Sequence, residues 1–289
     1  MIFSVRNLVL TAAMLPWAAM PASGAEHKQI QVHGHRGARA RFPENTLPAF
    51  EYAIEVGVDV LELDLAVTKD NVLVVSHDPE LQAPVCKGPV AKAVIHELTL
   101  AQVKEWDCGA VQNRRFHEQK TVPGTRIPTF DEVLALAPKG KFEFNVETKI
   151  FLAHPEFTPP PAEFARLLVD AIKRHKLEKR VMIQSFDFRT LVAARKIAPE
   201  IRLSALYEGG PKDYVTLSHE AANAEIVSPE YHQVTLEKVI AAHAKGLEVV
   251  PWTANTPADW DRLIRAGVDA IISDDPAALI AHLKKQGLR

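Results

Sequence analysis

Short apolar segments alternate with longer amphipathic stretches from residue 31 to the end of the chain. The short segments have the length of buried strands, and the longer ones repeat apolar residues at helical spacing. This alternation is typical of a parallel α/β sheet. Strands are predicted at residues 32–36, 60–67, 142–148, 181–186, 203–207, 225–228, 248–253 and 270–273. Because most of these eight segments precede a helical pattern, they favour a closed (β/α)8 TIM barrel over an open doubly wound sheet.

Several predicted helices carry clear start signals. Asn45 precedes a helix at residues 46–56 and is a favourable N-cap residue. Thr129 and Glu132 have the spacing of a capping box. Asp275 is followed by Pro276, which suits the first position of a helix. Further helices are predicted at residues 162–175, 188–197, 235–245, 258–266 and 277–285.

Residues 79–126 interrupt the alternation between the second and third predicted strands. This segment contains a short helix candidate at residues 100–106 and both cysteines of the chain. Reactive groups of such barrels lie at the carboxyl ends of the strands. We interpret the segment as a small insertion above that end of the barrel.

The composition is that of an ordinary globular protein, with 47% hydrophobic and 24% charged residues. A chain of 289 residues suits one α/β barrel, which typically has about 250 residues. We therefore predict a single domain over residues 26–289. The 34 basic and 36 acidic residues give a formal net charge of −2, and no basic run stands out. Nucleic acid is accordingly not an expected partner.

Residues 1–25 have the layout of a secretory signal peptide. Arg6 precedes an apolar stretch from Leu8 to Met20, and the small residues Ser23 and Ala25 precede an expected cleavage site after Ala25. The apolar stretch is shorter than the roughly 20 residues that cross a bilayer, so no stable membrane anchor is expected after cleavage. The mature protein is predicted to be periplasmic or secreted.

Cys86 and Cys108 are the two cysteines of the chain. In an oxidising compartment such a pair is a candidate for a disulfide, although two unpaired cysteines are the alternative. A disulfide between them would close a loop of about 22 residues and stabilise the fold by about 3 kcal/mol.

Two acidic residues in the second predicted strand are separated by one apolar residue. Glu62 and Asp64 therefore project to one face, the interior of a barrel, while Leu63 projects to the other. Glu147, at the end of the third predicted strand, can add a third carboxylate. Close carboxylates in a low-dielectric cavity repel each other unless a cation lies between them. The set predicts a divalent metal ion, calcium or magnesium; pairing with nearby Lys or Arg is the alternative.

Two histidines and two cationic residues lie near the same strand ends. His35 lies at the end of the first predicted strand and His77 shortly after the second, a pair suited to general acid–base catalysis near neutral pH. Arg36 and Lys149 add positive charge suited to a phosphate, unless they pair with the carboxylates. Because the chain has 12 histidines, either one alone would be weak evidence.

The order and spacing of the polar motifs resemble the signature of the glycerophosphodiester phosphodiesterase family. The matching segments are His35-Arg36-Gly37, Pro43-Glu44-Asn45-Thr46, Glu62-Leu63-Asp64, His77-Asp78, Asn145-Val146-Glu147-Thr148-Lys149, Gln184-Ser185-Phe186-Asp187, Trp252-Thr253-Ala254-Asn255 and Ser273-Asp274-Asp275-Pro276. They extend over almost all of the predicted mature chain, and their combination is specific although each motif is short. The departures from the family pattern, Asn71 for a frequent glycine and Ser273 for a frequent threonine, lie away from the proposed chemistry.

The resemblance implies a barrel that hydrolyses glycerophosphodiesters to sn-glycerol 3-phosphate and an alcohol. By motif position, it implies His35 and His77 as the catalytic pair, Glu62, Asp64 and Glu147 as metal ligands, and Arg36 and Lys149 as phosphate contacts. Trp252 is a candidate for stacking on the glycerol moiety or for a buried wall of the barrel mouth. Glu44 and Asn255 are candidates for supporting these groups, and Glu44 equally suits the position before a helix.

Three other functions are compatible with parts of the sequence. A metal-dependent amidohydrolase is suggested by His33-Gly34-His35, but the fourth and fifth strands carry no Lys or His at their ends. A phospholipase of related barrel type would be favoured by an exposed apolar rim in residues 79–126. A binding protein without catalytic activity would retain the phosphate pocket only.

Overall fold

The computed structural model describes residues 1–2 and 29–289. Within this part of the chain the strands are β1 Gln31–Gly34, β2 Val60–Val67, β3 Leu73–Val75, β4 Glu80–Gln82, β5 Lys92–Val94, β6 Glu143–Thr148, β7 Val181–Ser185, β8 Arg202–Tyr207, β9 Ile226–Pro229, β10 Glu248–Val249 and β11 Ala270–Ser273. The α-helices are α1 Leu47–Val56, α2 Leu100–Val103, α3 Phe130–Leu134, α4 Pro161–His175, α5 Phe188–Ile197, α6 Tyr214–Glu220, α7 Leu236–His243, α8 Pro257–Ala266 and α9 Pro276–Lys285.

Eight of these strands are parallel and form the barrel. Their order is β10-β9-β8-β7-β6-β2-β1-β11. Backbone hydrogen bonds from Asp269 to Val249 and from Ile272 to Pro251 bring the two end strands together. The predicted TIM barrel, with its insertion between the second and third barrel strands, is therefore confirmed.

Alternation along β2 decides which side chains enter the barrel. Leu61, Leu63 and Leu65 are buried in the main apolar core, which the barrel shares with its surrounding helices. Each such buried side chain contributes roughly 1.5–3 kcal/mol. Glu62 and Asp64 point the opposite way and are also buried. The apolar periodicity of this strand thus places two carboxylates inside the barrel.

The structure corrects one helix start. Asn45 is not the N-cap residue of α1, because Thr46 holds that position and Asn45 has a left-handed backbone with φ of 56°. The Asn45 side chain instead donates a hydrogen bond to Asp64. The other two start signals are confirmed: Thr129 forms a capping box, and Asp275 caps α9.

Several short elements differ from the predictions. The predicted strand at residues 248–253 is regular only over Glu248–Val249, because Pro251 has no N–H to donate to a ladder. Helix α6 and strands β3, β4 and β5 were not predicted. Strand β3 pairs antiparallel with the last three residues of β2.

The insertion has its own small core beside the barrel. Strands β4 and β5 pair antiparallel, and Cys86 forms a disulfide with Cys108 as the sequence suggested. Both cysteines pack with Ile95 and Trp106 in a cluster separate from the main core. The insertion is thus held by a covalent bond as well as by packing.

The signal-peptide prediction falls on residues 1–25, which apart from residues 1–2 lie outside the described residues. Among the described helices, none has both the length and the apolar character needed to cross a membrane.

Candidate active site

The carboxyl ends of the barrel strands surround a cavity of about 340 Å³. Its lining includes eight of the residues singled out in the sequence: His35, Arg36, Glu62, His77, Glu147, Lys149, Trp252 and Asn255. Asp64 is buried beside Glu62 and Glu147, and Glu44 lines a smaller neighbouring cavity together with His77. The fold therefore brings all of these residues to one end of the barrel.

Three carboxylates form a compact buried group. Glu62, Asp64 and Glu147 each offer an oxygen within 4.8 Å of the others. The register of the parallel strands explains this, because Asp64 of β2 lies directly beside Glu147 of β6. Burial and the neighbouring charge of Asp64 raise the pKa of Glu62 well above its ordinary value. Burial also raises the pKa of Glu147, against the opposing charge of Lys149.

Asp64 behaves differently from the other two acids. Burial is the largest single effect and would raise its pKa, but the charges of Arg36 and Lys149 and its other polar neighbours together hold the pKa below the ordinary value. Arg36 Nε lies 3.2 Å from Asp64 Oδ2, and the Asn45 amide donates to the same oxygen at 2.9 Å. Asp64 thus remains ionised between two cationic neighbours, Arg36 and Lys149.

The donor set fits a hard divalent cation. Carboxylate oxygens are the ligands that calcium and magnesium prefer. Some pairing with cations does occur, since Lys149 Nζ lies 2.9 Å from Glu147. Glu62, however, has no Lys or Arg side chain within 4 Å among the described residues. It accepts hydrogen bonds from the Gln184 amide and the Arg36 backbone N–H, both at 2.8 Å, and His35 Nε2 lies 3.9 Å away. The described acids therefore outnumber the cations that pair with them, and the group could hold a metal ion.

His35 is held from behind by a carboxylate. Its Nδ1 lies 2.6 Å from Asp274, which also accepts hydrogen bonds from Arg39 and Asn255. Burial, reinforced by the charge of Arg39, lowers the pKa of His35 to about 3 despite the opposing charge of Asp274. With Nδ1 engaged, Nε2 faces the acidic group. His35 is thus oriented as a neutral imidazole with one nitrogen available to the cavity.

His77 reaches the cavity from the segment between β3 and β4. Its Nδ1 lies 2.7 Å from Asp78, so Nε2 is the free nitrogen. The preceding residue, Ser76, fixes this segment: its N–H donates to the Asp64 carbonyl and its hydroxyl donates to the Asp78 carbonyl. The structure therefore places both histidines on one cavity, each with Nδ1 against an aspartate.

Arg36 has an unusual backbone that positions it against the acids. Its φ is 49°, a region that residues other than glycine rarely adopt. Its N–H donates to Glu62 at 2.8 Å, and its guanidinium donates to Glu44 at 2.6 Å. Glu44 thus contacts Arg36 and not His35. A Cβ added to the next residue, Gly37, would lie 2.7 Å from the backbone of Ala49, so only glycine allows this close approach to α1.

Aromatic side chains line another part of the cavity. Trp252 and Phe186 meet edge to face with centroids 5.5 Å apart, and Tyr231 lies on the same side. The Trp252 indole is fixed by a hydrogen bond to the Ser228 carbonyl at 2.8 Å. These side chains offer an apolar wall beside the polar group of acids and histidines.

Sequence reasoning missed four residues of the site. Gln184 could have been found, because strand alternation places it inside the barrel and register pairs it with Glu147. Asp274 was regarded as mostly structural, whereas it holds His35. Arg39 and Arg115 lie in irregular segments whose sequence carries no periodic signal.

The position of His33 argues against the amidohydrolase alternative. It lies in the barrel with 1% of its surface exposed, and both of its ring nitrogens lack hydrogen-bond partners among the described residues. It does not belong to the ligand group of Glu62, Asp64 and Glu147. The paired-histidine ligation expected of that class therefore does not form.

Comparison with known proteins agrees with the motifs. The model of the glycerophosphoryl diester phosphodiesterase family matches residues 35–278. A glycerophosphodiester phosphodiesterase of Caldanaerobacter subterraneus subsp. tengcongensis is 35% identical over 258 residues, which are 89% of this chain and 98% of that protein. Another of Bacillus subtilis is 30% identical, with 96% of both chains covered. The crystal structure of a putative glycerophosphoryl diester phosphodiesterase from Silicibacter pomeroyi is similar with a TM-score of 0.84 and 30% identity, covering 90% of this chain and 95% of that one.

Proposed function

The chain belongs to the glycerophosphoryl diester phosphodiesterase family, and from this we propose that it hydrolyses glycerophosphodiesters to sn-glycerol 3-phosphate and an alcohol. One observation carries the proposal: two histidines with free Nε2 atoms line one cavity with Glu62 and Glu147, and Asp64 completes the buried carboxylate group beside them. A group of acids that can hold a cation, flanked by two proton-transfer groups, suits cleavage of a phosphodiester.

Glu62, Asp64 and Glu147 would hold a calcium or magnesium ion. When bound, the ion would stabilise negative charge on the phosphate oxygens. Arg36 and Lys149 lie beside the acids and line the same cavity, so their charges would bind the same phosphate. Trp252 would stack on the glycerol moiety from the aromatic side of the cavity.

His35 and His77 would move the protons. One imidazole removes a proton from the nucleophile, which is water or the adjacent glycerol hydroxyl, and the other protonates the departing alkoxide. If the glycerol hydroxyl attacks, water then opens the cyclic phosphate, so that either route consumes one water. Asp274 and Asp78 hold the Nδ1 atoms, which leaves both Nε2 atoms for these transfers.

The apolar exposure of the insertion favours small soluble substrates over membrane lipids. A lipid-binding rim would expose several large apolar side chains around the cavity. Within residues 79–126, Val90 is the exposed large apolar residue that the described structure shows. We therefore rank glycerophosphodiesters above phospholipids as substrates.

Hydrolysis of glycerophosphocholine with and without a chelator tests the proposal. We expect release of choline and sn-glycerol 3-phosphate, loss of activity with chelator, and recovery on adding calcium or magnesium. Tight binding of the substrate without turnover under all of these conditions would indicate a binding protein instead. If the chelator leaves turnover unchanged, the reaction does not need a metal ion and that part of the proposal is wrong.

A further inference from the structure

Two arginines that the proposed reaction does not use line the same cavity. Arg39 lies in the loop after β1, and Arg115 comes from the insertion. Their guanidinium carbons lie 5.2 and 5.8 Å from the centroid of the Phe116 ring. Both distances suit a cation–π contact, so one aromatic ring holds two positive groups at the cavity edge.

The charge balance separates Arg115 from the other cations of the cavity. Arg36 pairs with Glu44, Lys149 with Glu147, and Arg39 with Asp274 through Nε and Nη2. The Arg115 guanidinium forms no ion pair or hydrogen bond with any residue that the structure describes; its contact is the Phe116 ring. It is a positive charge on the cavity wall that no described carboxylate neutralises.

The loop that carries Arg115 is fixed to the barrel. The buried amide of Gln119 donates hydrogen bonds to the carbonyls of Arg39 at 2.7 Å and Phe42 at 3.3 Å. Its oxygen accepts from the N–H of Asn113 at 2.8 Å. These bonds tie the insertion to the loop after β1. The Gln119 side chain therefore joins the two loops that carry Arg115 and Arg39.

The position of this arginine pair indicates which part of a substrate it meets. The aromatic wall of Trp252, Phe186 and Tyr231 follows strands β7, β9 and β10, whereas Arg39 and Arg115 lie over β1 and the insertion. The acids that would hold the metal ion lie on β2 and β6, which lie between β1 and β7 in the strand order. If glycerol stacks on Trp252 as proposed above, the alcohol on the other side of phosphorus would extend toward the two arginines.

Resting on the proposed function, we propose that Arg115 and the free Nη1 of Arg39 bind an anionic group on the alcohol portion of the substrate. The substrate class is that of glycerophosphodiesters whose alcohol carries a carboxylate or another anion. Guanidinium groups match such anions in geometry and charge.

Glycerophosphoserine and glycerophosphoethanolamine test this directly, because they differ by one carboxylate. We expect kcat/KM of the wild-type holoenzyme to be about two- to fivefold higher for the serine ester, the range for a solvent-exposed ion pair. In Arg115→Gln the ratio of the two kcat/KM values should fall toward one, and Arg39 would account for any preference that remains. Added salt should lower the wild-type ratio, since Arg115 is exposed and therefore screened.

Arg114→Gln is the matched control. Arg114 is the preceding residue of the same loop, is exposed and carries the same charge, but it does not line the cavity. This variant should keep the wild-type ratio. Equal kcat/KM values in the wild type, an unchanged ratio in Arg115→Gln, or an equal loss in Arg114→Gln would each overturn the inference. If both esters are hydrolysed at equal rates, the anion subsite is excluded and the proposed function stands. If neither ester is hydrolysed, the proposed function is excluded as well.

Discussion

At the scale of single residues, Asp274 determines what His35 can do. A carboxylate against Nδ1 fixes the tautomer that leaves the Nε2 lone pair toward the cavity. In Asp274→Asn, the amide can donate a hydrogen bond to Nδ1 and favour the wrong tautomer. We expect kcat to fall about 10- to 100-fold, with a smaller change in KM, in steady-state assays on glycerophosphocholine.

The neighbouring residue offers the same substitution as a control for Asp274→Asn. Asp275 pairs with Arg41 near the surface and caps α9, and asparagine is also a good N-cap residue. Asp275→Asn should keep wild-type kcat. A kcat of Asp274→Asn that equals that of Asp275→Asn would show that His35 does not depend on the carboxylate.

The two histidines give a second prediction at this scale. Replacing His35 or His77 by alanine removes a proton-transfer group and should lower kcat by about 10²- to 10⁴-fold. Circular dichroism melting should show that the fold persists. His154→Ala, which changes an exposed histidine outside the cavity, serves as the control. Wild-type turnover in either variant would exclude that histidine from the mechanism.

At the scale of elements, the disulfide couples the insertion to the site. Cys86 and Cys108 line a small cavity together with His77. In a Cys86→Ala, Cys108→Ala double variant, the loop regains freedom in the unfolded state, and the free energy of unfolding should fall by about 3 kcal/mol. Urea denaturation followed by fluorescence measures this. Wild-type protein under reducing conditions should behave like the variant; identical midpoints for oxidised wild type and variant would contradict the prediction.

Sequence patterns predicted the long elements well and the short ones poorly. Helix α4 spans fifteen residues, enough for its apolar periodicity to be unambiguous. Helix α6 has seven residues and strand β3 has three, too few for a period to be recognised. Asn45 has a side chain that favours capping, but it does not cap α1. Its amide donates a hydrogen bond to Asp64 in the site instead.

At the scale of the whole molecule, closure of the barrel explains which site residues could be predicted. The acids lie in strands and the histidines follow strands, and a barrel brings all strand ends together. The contact between Arg39 and Asp274 joins positions 235 residues apart in loops of no periodicity. Such contacts depend on how the loops pack, and a single sequence does not encode that in any local pattern.

We propose that the protein is exported and acts in the periplasm or outside the cell. The support is the signal-peptide layout of residues 1–25 together with a disulfide in the insertion. Amino-terminal sequencing of protein recovered from the periplasm or medium should begin at Glu26. Protein that stays in the cytoplasm with residues 1–25 attached would contradict this proposal.

Binding of the metal ion should be visible in the stability of the whole fold. An ion that binds the folded chain alone stabilises it by RT ln(1 + [L]/Kd), about 2.7 kcal/mol at a hundredfold excess over Kd. Calcium or magnesium should therefore raise the melting temperature of chelator-treated protein by several degrees. Glu147→Gln removes one ligand and should abolish most of this rise. Glu143 lies on the same strand at the opposite end of the barrel. Glu143→Gln should keep the metal-induced rise, even if loss of the ion pair with Arg202 lowers the melting temperature without metal. Glu147→Gln removes a carboxylate of the buried group, whereas Glu143→Gln removes one outside it. An equal rise in melting temperature in both variants would therefore show that the ion binds elsewhere.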